Sequence, residues 1–504
     1  MTELPFLMFD EKTGSALPLY RQIYENIRRA ILSGKLVAGT RLPASRALAS
    51  QFSVSRLTVV NAFEQLLAEG YLEGRTGAGT FVASKLPEDL LQIPDAEKKT
   101  AAAEASPGKI RISKFAARLG ETQTRVSRLQ NATAPVPFKN GLTAVPEFPF
   151  GIWEKIAARV CRQARYKISG YGEAAGYRPL REAVARHFAA SRGVQCDTEQ
   201  IFITNGAQQA LDLTARVLLD ERDKIWIEDP CYQEALGVFR AVGAEVVPVP
   251  VDGEGFDLKE AEKRSGAAKL VYITPSHQYP TGVTMSLARR LELLEWARKT
   301  GGWIIEDDYN SEFRYAGRPL ASLQNLDRRG RVIYVGTFSK TIFPALRLGC
   351  MVVPRNLVEI FRAARNSCDS HSPIFEQAIL AEFISEGHFA RHLRRMRTLY
   401  EKRQRFLVAE AEKELAGLMK VSGAPAGMHL IGWLADGFDE FAVAEKASEN
   451  GLNLSPLSSY CIENKLPAGV ILGYTGFDEK EIREGVRKLR KVISLPEVGS
   501  RISD

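Results

Sequence analysis

The chain has 504 residues, 45% hydrophobic and 25% charged, with 68 Lys and Arg against 60 Asp and Glu for a net charge of +8. This length suits more than one domain, and so ordinary a balance excludes a disordered or fibrous chain. Six scattered cysteines with no C-x-x-C pair argue against a disulfide framework or a cysteine zinc site; no run approaches the roughly 20 apolar residues of a membrane span, and residues 1–10 lack a basic segment followed by an apolar one. A cytoplasmic protein with no membrane and no metal is expected.

Pro18 opens an amphipathic helix in which Leu19, Ile23, Ile27, Ala30 and Ile31 recur at helical spacing until Gly34. A second helix is predicted over about 43–52, and a third over 55–69, stopped by Gly70. Val59, Phe63, Leu66 and Leu67 form the buried stripe of the third, leaving Ser55, Arg56, Thr58, Asn61 and Gln65 outward. Residues 40–63 contain Arg41, Arg46 and Arg56 and no acid, so this segment can face phosphate. Tyr71-Leu72-Glu73 and Thr80-Phe81-Val82 flank a glycine-rich tip and read as a hairpin. Helix-turn-helix plus hairpin makes a winged helix, whose hydroxyl, amide and guanidinium groups suit phosphates and base edges. The alternative is a three-helix protein-interaction module.

The strings Gly39-Thr40-Arg41-Leu42-Pro43-Ala44-Ser45-Arg46, Ser55-Arg56-Leu57-Thr58-Val59 and Gly77-Ala78-Gly79-Thr80-Phe81-Val82, in register behind Pro18-Leu19-Tyr20, resemble the DNA-binding domain of GntR-type bacterial regulators over residues 16–82. The resemblance implies that Arg41, Ser45 and Arg46 hold the DNA backbone, that Ser55, Arg56, Thr58 and Asn61 sit in the major groove, and that the wing glycines, Gly79 among them, approach the minor groove. Ala78 departs from the pattern, since many such wings carry lysine or serine there.

Periodicity fades over 84–134, which holds Pro87, Pro94, Pro107-Gly108 and a basic stretch over 109–128. This span reads as a linker with some transient helix; a helix over 110–129, packed on the next domain or touching DNA, is the alternative. The expected domains are therefore a DNA-binding head at 1–83, the linker at 84–134 and a large domain at 135–504.

In the large domain short apolar runs, at 201–203, 225–227, 270–273, 303–305 and 332–335, alternate with helical ones such as 207–219 and 287–297. The pattern predicts an α/β domain with a mostly parallel sheet and helices on both faces, whose ligand site lies beyond the carboxyl ends of the strands. The residues at those ends share one chemistry. Gly206, Ala207 and Gln208 open a helix whose free N–H groups can take a phosphate. Tyr232 can lie on an aromatic ring, and Asp307 calls for a cationic partner such as a protonated pyridine nitrogen. Tyr309 can bond a phenolic oxygen, Lys340 can form a Schiff base with an aldehyde, and Thr337 and Arg347 complete a phosphate cup.

With Tyr171-Gly172-Glu173-Ala174-Ala175-Gly176-Tyr177, these loops resemble the fold-type I aminotransferases from residue 138 onward. That resemblance implies pyridoxal 5′-phosphate as cofactor and a homodimer in which Tyr171 reaches the partner subunit's phosphate. A winged helix ahead of such a domain is similar to the MocR subfamily of GntR-type regulators. Two positions depart from the aminotransferase pattern: Tyr279 precedes Pro280-Thr281-Gly282 where asparagine is common, and Val470-Ile471-Leu472-Gly473-Tyr474 offers no arginine for a substrate carboxylate. Gly427-Met428-His429 reads as a pocket edge or a buried structural histidine. The expected function is a regulator that binds an operator in double-stranded DNA, holds the cofactor on Lys340 and senses it or a small amino compound. A pyridoxal-phosphate-dependent aminotransferase is the alternative, and a phosphate-ligand sensor without covalent chemistry a third.

Overall fold

The computed structural model describes residues 17–87, 111–121, 136–317, 321–495 and 498, and the chain divides into two compact units, Met1–Arg111 and Ile112–Asp504. The division falls inside the span expected as linker. Most of that span, 88–110 and 122–134, lies outside the described residues, as do residues 1–16.

In the first unit, α1 (Leu19–Leu32), α2 (Ser45–Gln51) and α3 (Arg56–Ala68) precede β1 (Leu72–Arg75) and β2 (Gly79–Val82). Pro18 caps α1 with an extended ψ of 145° and is not its first helical residue. One expected core position of α1 differs, and one buried residue was not foreseen. Leu19 is exposed at the helix end, and Tyr24 joins Ile23, Ile27, Ala30 and Ile31 inside. On α3 the buried set is Val59, Ala62, Phe63 and Leu66, at offsets of zero, three, four and seven. Leu67 lies one residue past that stripe and turns outward. The hairpin pairs Leu72 with Val82 and Arg75 with Gly79, and the backbone of Thr40 and Leu42 bonds along its outer edge. Helices and hairpin share one core that includes Ile27, Leu48, Val59, Leu66 and Val82. This is a winged helix-turn-helix.

The second unit begins its described part with α4 (Lys114–Glu121), within the span expected as linker. Arg118 bonds Glu221 at 2.5 Å, and Arg216 lies over the Phe115 ring, so this short helix packs on the large unit. The main sheet comprises β3 (Ile201–Thr204), β4 (Lys224–Asp229), β5 (Glu245–Asp252), β6 (Gly255–Phe256), β7 (Leu270–Ile273), β8 (Trp303–Asp308), β9 (Val332–Thr337) and β10 (Gly349–Val352). Its order is β3-β10-β9-β8-β7-β4-β5-β6, with β9 through β5 parallel and β10 and β6 antiparallel to their neighbours. The central stretches of the parallel strands are apolar because both faces are covered, and the charged residues Glu228, Asp229, Glu306, Asp307 and Asp308 stand at the carboxyl ends of β4 and β8. In β9, for example, Ile333 and Val335 enter one hydrophobic cluster while Val332 and Tyr334 enter two others. Every predicted strand is present. A second, antiparallel sheet, β11 (Met419–Val421), β12 (His429–Leu434), β13 (Ser455–Pro456) and β14 (Gly469–Gly473), was not foreseen; its order is β11-β12-β14-β13. Two helices, α5 (Ala207–Leu218) and α6 (Gln233–Ala241), begin just beyond the carboxyl ends of β3 and β4.

Candidate functional site

The carboxyl ends of β4, β7, β8 and β9 open into one cavity of about 280 Å³. Ala207, Gln208, Tyr232, Asp307, Tyr309, Thr337, Lys340 and Arg347 line it, while Gly206, expected with them, precedes Ala207 and is not among the lining residues. The register explains why distant loops meet. Gly349 of β10 pairs with Thr204 on one side and Thr337 on the other, which sets the Gly206 loop and the Thr337 loop on either side of Arg347. Gly206 has φ of 92°, and a Cβ there would lie 3.0 Å from Arg347 Nη2. Only glycine suits that backbone and that approach. Arg347 donates to Asn205 O at 3.1 Å from a left-handed backbone, φ 52°.

Gly206 caps α5 without a side-chain bond, so the first-turn N–H groups of the helix remain available to an anion. Thr337 Oγ1 accepts from Ser339 N at 3.2 Å, while Ser339 Oγ is buried without a hydrogen-bond partner. Across the cavity Asp307 is 4% exposed; Tyr272 Oη donates to its Oδ2 at 2.8 Å, and Oδ1 is buried without a partner. Burial pushes the Asp307 carboxyl up to about 7, the Tyr272 bond opposing and Asp308 adding to the shift. Lys340 Nζ donates to Gly141 O at 3.2 Å. Burial lowers its pKa, with Glu234 opposing and Arg347 reinforcing that effect.

Rings close the remaining side. Tyr279 stands edge-on to Tyr232, Tyr309, His429 and Tyr460 at 5.4 to 5.8 Å, and accepts from Asn140 Nδ2 at 3.0 Å. Tyr309 Oη is 2.9 Å from His277 Nδ1, and burial holds His277 neutral by lowering its pKa to about 3. His429 lines the cavity and is also a buried histidine bonded to Pro280 O at 2.9 Å, so both readings of that segment meet in one residue. At the arginine-free stretch, Ile471 packs with Tyr460 and Tyr279.

Several lining residues were missed. Asn140 and Gly141 come from a short segment nearly 200 positions before Lys340, with no pattern to flag them; Tyr272 and Thr274 sit in and after a strand that reads as core. Ser339 and Glu234 lay in or beside loops already singled out, and their hydroxyl and carboxyl groups were the available signal. Tyr171 is fully exposed and does not line the cavity of its own chain; its ring lies 6.4 Å from His371.

On the winged helix, Arg41, Arg46, Ser55, Arg56 and Asn61 are exposed and Ser45 and Thr58 half-buried. Ser55 Oγ accepts from Thr58 N at 3.2 Å and so caps α3, and it lies 2.8 Å from Thr58 Oγ1. Arg56 Nε donates to Ser45 Oγ at 3.3 Å, which ties α3 to α2. Arg41 lies against Gly79 beside the wing tip, its Nε 3.3 Å from where a Cβ would stand. Leu57, two-thirds exposed, stands among these polar groups.

An aldehyde-bearing, phosphorylated pyridine fits this cavity. The lone Asp307 oxygen matches a ring N–H, the uncapped helix with Ser339 Oγ and Arg347 matches a phosphate, and Lys340 matches the aldehyde. Comparison with known proteins agrees. Residues 144–489 match the family described as aminotransferase class I and II, and residues 19–82 match the bacterial regulatory proteins of the gntR family. The chain is 40% identical to the probable rhizopine catabolism regulatory protein MocR of Rhizobium meliloti, covering 94% of this chain and 93% of that one. It is 31% identical to the HTH-type pyridoxine biosynthesis transcriptional regulator PdxR of Corynebacterium glutamicum, covering 94% and 96%. Among solved structures it is similar to LysN, the alpha-aminoadipate aminotransferase of Thermus thermophilus, complexed with N-(5′-phosphopyridoxyl)-L-leucine; identity is 29%, TM-score 0.69, and coverage 76% of this chain and 97% of that one. Among the described residues no helix is long and apolar enough to cross a membrane.

Proposed function

The chain belongs to the GntR-family regulators that join a helix-turn-helix head to an aminotransferase class I and II domain, and from that premise we propose that it reports the state of a pyridoxal phosphate held on Lys340 to an operator in double-stranded DNA. The observation that carries this reading is the union in one chain of a winged helix and a cavity whose one unpaired carboxylate oxygen, on Asp307, faces the same space as Lys340.

Pyridoxal phosphate supplies an aldehyde that condenses reversibly with primary amines on an electron-withdrawing ring. Lys340 Nζ anchors that aldehyde, and its lowered pKa keeps more of the amine uncharged near neutrality. Asp307 Oδ1 accepts the ring N–H, Tyr309 with His277 bonds the phenolic oxygen, and Tyr232 borders the ring. Gly206, Ala207, Gln208, Thr337, Ser339 and Arg347 hold the phosphate. Tyr171 completes the phosphate site of a partner subunit in a homodimer.

On the DNA, Arg41 and Arg46 neutralise phosphates while Arg56 and Asn61 reach base edges. Ser45, Ser55 and Thr58 position that helix pair, Leu57 suits a thymine methyl, and Gly79 brings the wing close to the minor groove. Such a protein works inside the cell, where its operator is. An amino compound would act by taking the place of Lys340 on the aldehyde, freeing the Lys340 amine, and the exchange would alter DNA engagement.

The aminotransferase reading has one observation in its favour, the likeness to LysN, and Lys340 with Asp307 supplies the groups for proton transfer at an α-carbon. The apolar packing of Ile471, where an arginine for a substrate carboxylate is usual, weighs against sustained turnover of amino acids. Footprinting of the DNA flanking the protein's own gene, with and without pyridoxal phosphate and a panel of amines, tests the regulator. Occupancy should change affinity or footprint. Identical protection by the free, cofactor-loaded and amine-treated protein would sink it, and turnover on the order of 1 to 1000 per second would favour the enzyme.

A further inference from the structure

His277 stands behind the cavity wall and is not among the residues that line it, yet its surroundings hold it in one place. The side chain is 3% exposed and sits between two loops: a Cβ on Gly427 would strike its Nε2, and one on Gly282 would come to 3.2 Å of it, both glycines having positive φ. Nδ1 lies 2.9 Å from Tyr309 Oη. The Ala426 carbonyl bears on the ring, but Nε2 makes no bond to it and is buried without a hydrogen-bond partner. Burial lowers the His277 pKa to about 3, with His429 and Arg314 adding to the shift, so the ring is neutral and carries a single proton. Burial, with the carboxyls of Asp307, Glu228 and Asp308, pushes the Tyr309 hydroxyl well above its usual range, so it keeps its proton too.

One proton on each group leaves two arrangements. With Nδ1 bare, Tyr309 gives its proton to His277, offers the cavity only lone pairs, and leaves a buried Nε2–H with no acceptor. With the proton on Nδ1, Tyr309 accepts it, its own O–H is free for the cavity, and the bare Nε2 needs no acceptor; a buried donor without a partner is the rarer and costlier of the two faults. We infer that His277 is a positioning residue that donates from Nδ1 to Tyr309 Oη and thereby aims the Tyr309 proton at the phenolic oxygen of the cofactor. The inference rests on the cofactor reading and adds what directs its Tyr309 contact. Lys340 Nζ, once bonded to the aldehyde, still takes up a proton, which the neighbouring phenolic oxygen helps to hold. A donor aimed at that oxygen draws density from it and loosens the proton. The charges that bear on Lys340, Glu234 favouring and Arg347 opposing its proton, are untouched by a change at His277.

The pH midpoint of the visible cofactor band in the loaded full chain reads that proton. Tyr309→Phe should raise the midpoint by about 1 to 2 pH units, the worth of a hydrogen bond to a charged group. His277→Phe keeps a ring in the same space and should raise it by roughly half as much, because the donor stays and only its direction is lost. The double variant should match Tyr309→Phe alone, since His277 acts through that hydroxyl. His277→Asn, whose amide N–H can stand where Nδ1–H stood, should restore much of the native midpoint. Nitrogen-15 resonances of labelled histidine give a second reading in the native loaded chain: the signal absent from the His277 variants should show a neutral ring protonated at Nδ1, with no titration between about pH 5 and 9. A native midpoint in His277→Phe, additive shifts in the double variant, or a ring protonated at Nε2 overturns the inference and leaves the cofactor reading intact. Absence of any cofactor band in the native chain sinks both.

Discussion

Tyr272 Oη donates to Asp307 Oδ2 at 2.8 Å and leaves Oδ1 buried with no partner. The pair is half of a hydrogen-bonding arrangement, with the carboxylate oriented by one donor and waiting for a second. Without that second donor the carboxyl is pushed up to about 7, mainly by burial. A folded-state pKa above the unfolded value means that the folded protein binds the proton more tightly. The stability it confers is present at low pH and is lost as pH rises through about 7. The cofactor-free protein should therefore lose about 1 kcal/mol between about pH 6 and 8 through Asp307. A ring N–H opposite Oδ1 favours the ionised form and removes that loss. Thermal unfolding should show a larger gain from pyridoxal phosphate at about pH 8 than at about pH 6, and Asp307→Asn should erase the difference. An equal gain at both pH values in the native protein would contradict the pairing.

The proposed phosphate cup rests on the approach of Gly206 to Arg347. Gly206→Ala forces a Cβ to 3.0 Å from Arg347 Nη2 on a backbone at φ 92°. It should weaken cofactor binding by roughly 10- to 100-fold, the worth of a charge-assisted contact, and Arg347→Ala should do much the same. Because both changes remove one arrangement, the double variant should lose less than the sum of the two. Equilibrium dialysis of pyridoxal phosphate against the three variants measures this, and full additivity would mean that the two act separately.

On the winged helix, exposed arginines and exposed amides should separate by their salt response. If Arg41 and Arg46 hold phosphates as proposed, Arg41→Ala and Arg46→Ala should each lower the slope of log affinity against log salt by about 1, with sequence preference intact. Asn61→Ala should leave the slope unchanged and relax preference at one base pair, at a cost of roughly 1 to 3 kcal/mol. Anisotropy titrations over a salt series, paired with selection from random duplexes, distinguish the two. A reduced slope for Asn61→Ala would reassign it to the backbone.

Strand ends were legible in the sequence because each apolar run in the parallel sheet is continuous and terminates in polar residues, so Thr337, Asp307 and Tyr232 declared themselves by position. Helix faces were legible to within one residue, and Leu67 shows the limit: a single step past the stripe turns a leucine outward. What stayed hidden depends on tertiary approach. Asn140 reaches Tyr279 across 139 positions, and Tyr272 reads as strand core until its hydroxyl is seen on Asp307. In the antiparallel sheet over 419–473, β11 and β13 have only three and two residues, too few for a pattern, while β12 and β14, with six and five, are as long as the strands that were read and were passed over. Ser55 is assigned to the groove by likeness, and its hydroxyl also caps α3, a role that a Ser before a helix always leaves open.

Tyr171 poses the last test, because its ring is fully exposed on its own chain and yet belongs to a segment matching the cofactor-binding pattern. If it serves a partner subunit, the site is composite, and two defective chains can repair each other. Tyr171→Ala chains keep Lys340 but should hold the cofactor weakly, and Lys340→Ala chains should form no lysine-bound band. In a hybrid dimer one site combines the intact Lys340 of the first chain with the intact Tyr171 of the second, and the other site carries both defects. Equal mixing with free subunit exchange makes half the dimers hybrid, so roughly a quarter of all sites should regain native affinity. The visible band at limiting pyridoxal phosphate reads that fraction, and sedimentation confirms assembly. A mixture that shows only the average of its two parents would place Tyr171 outside the partner's site.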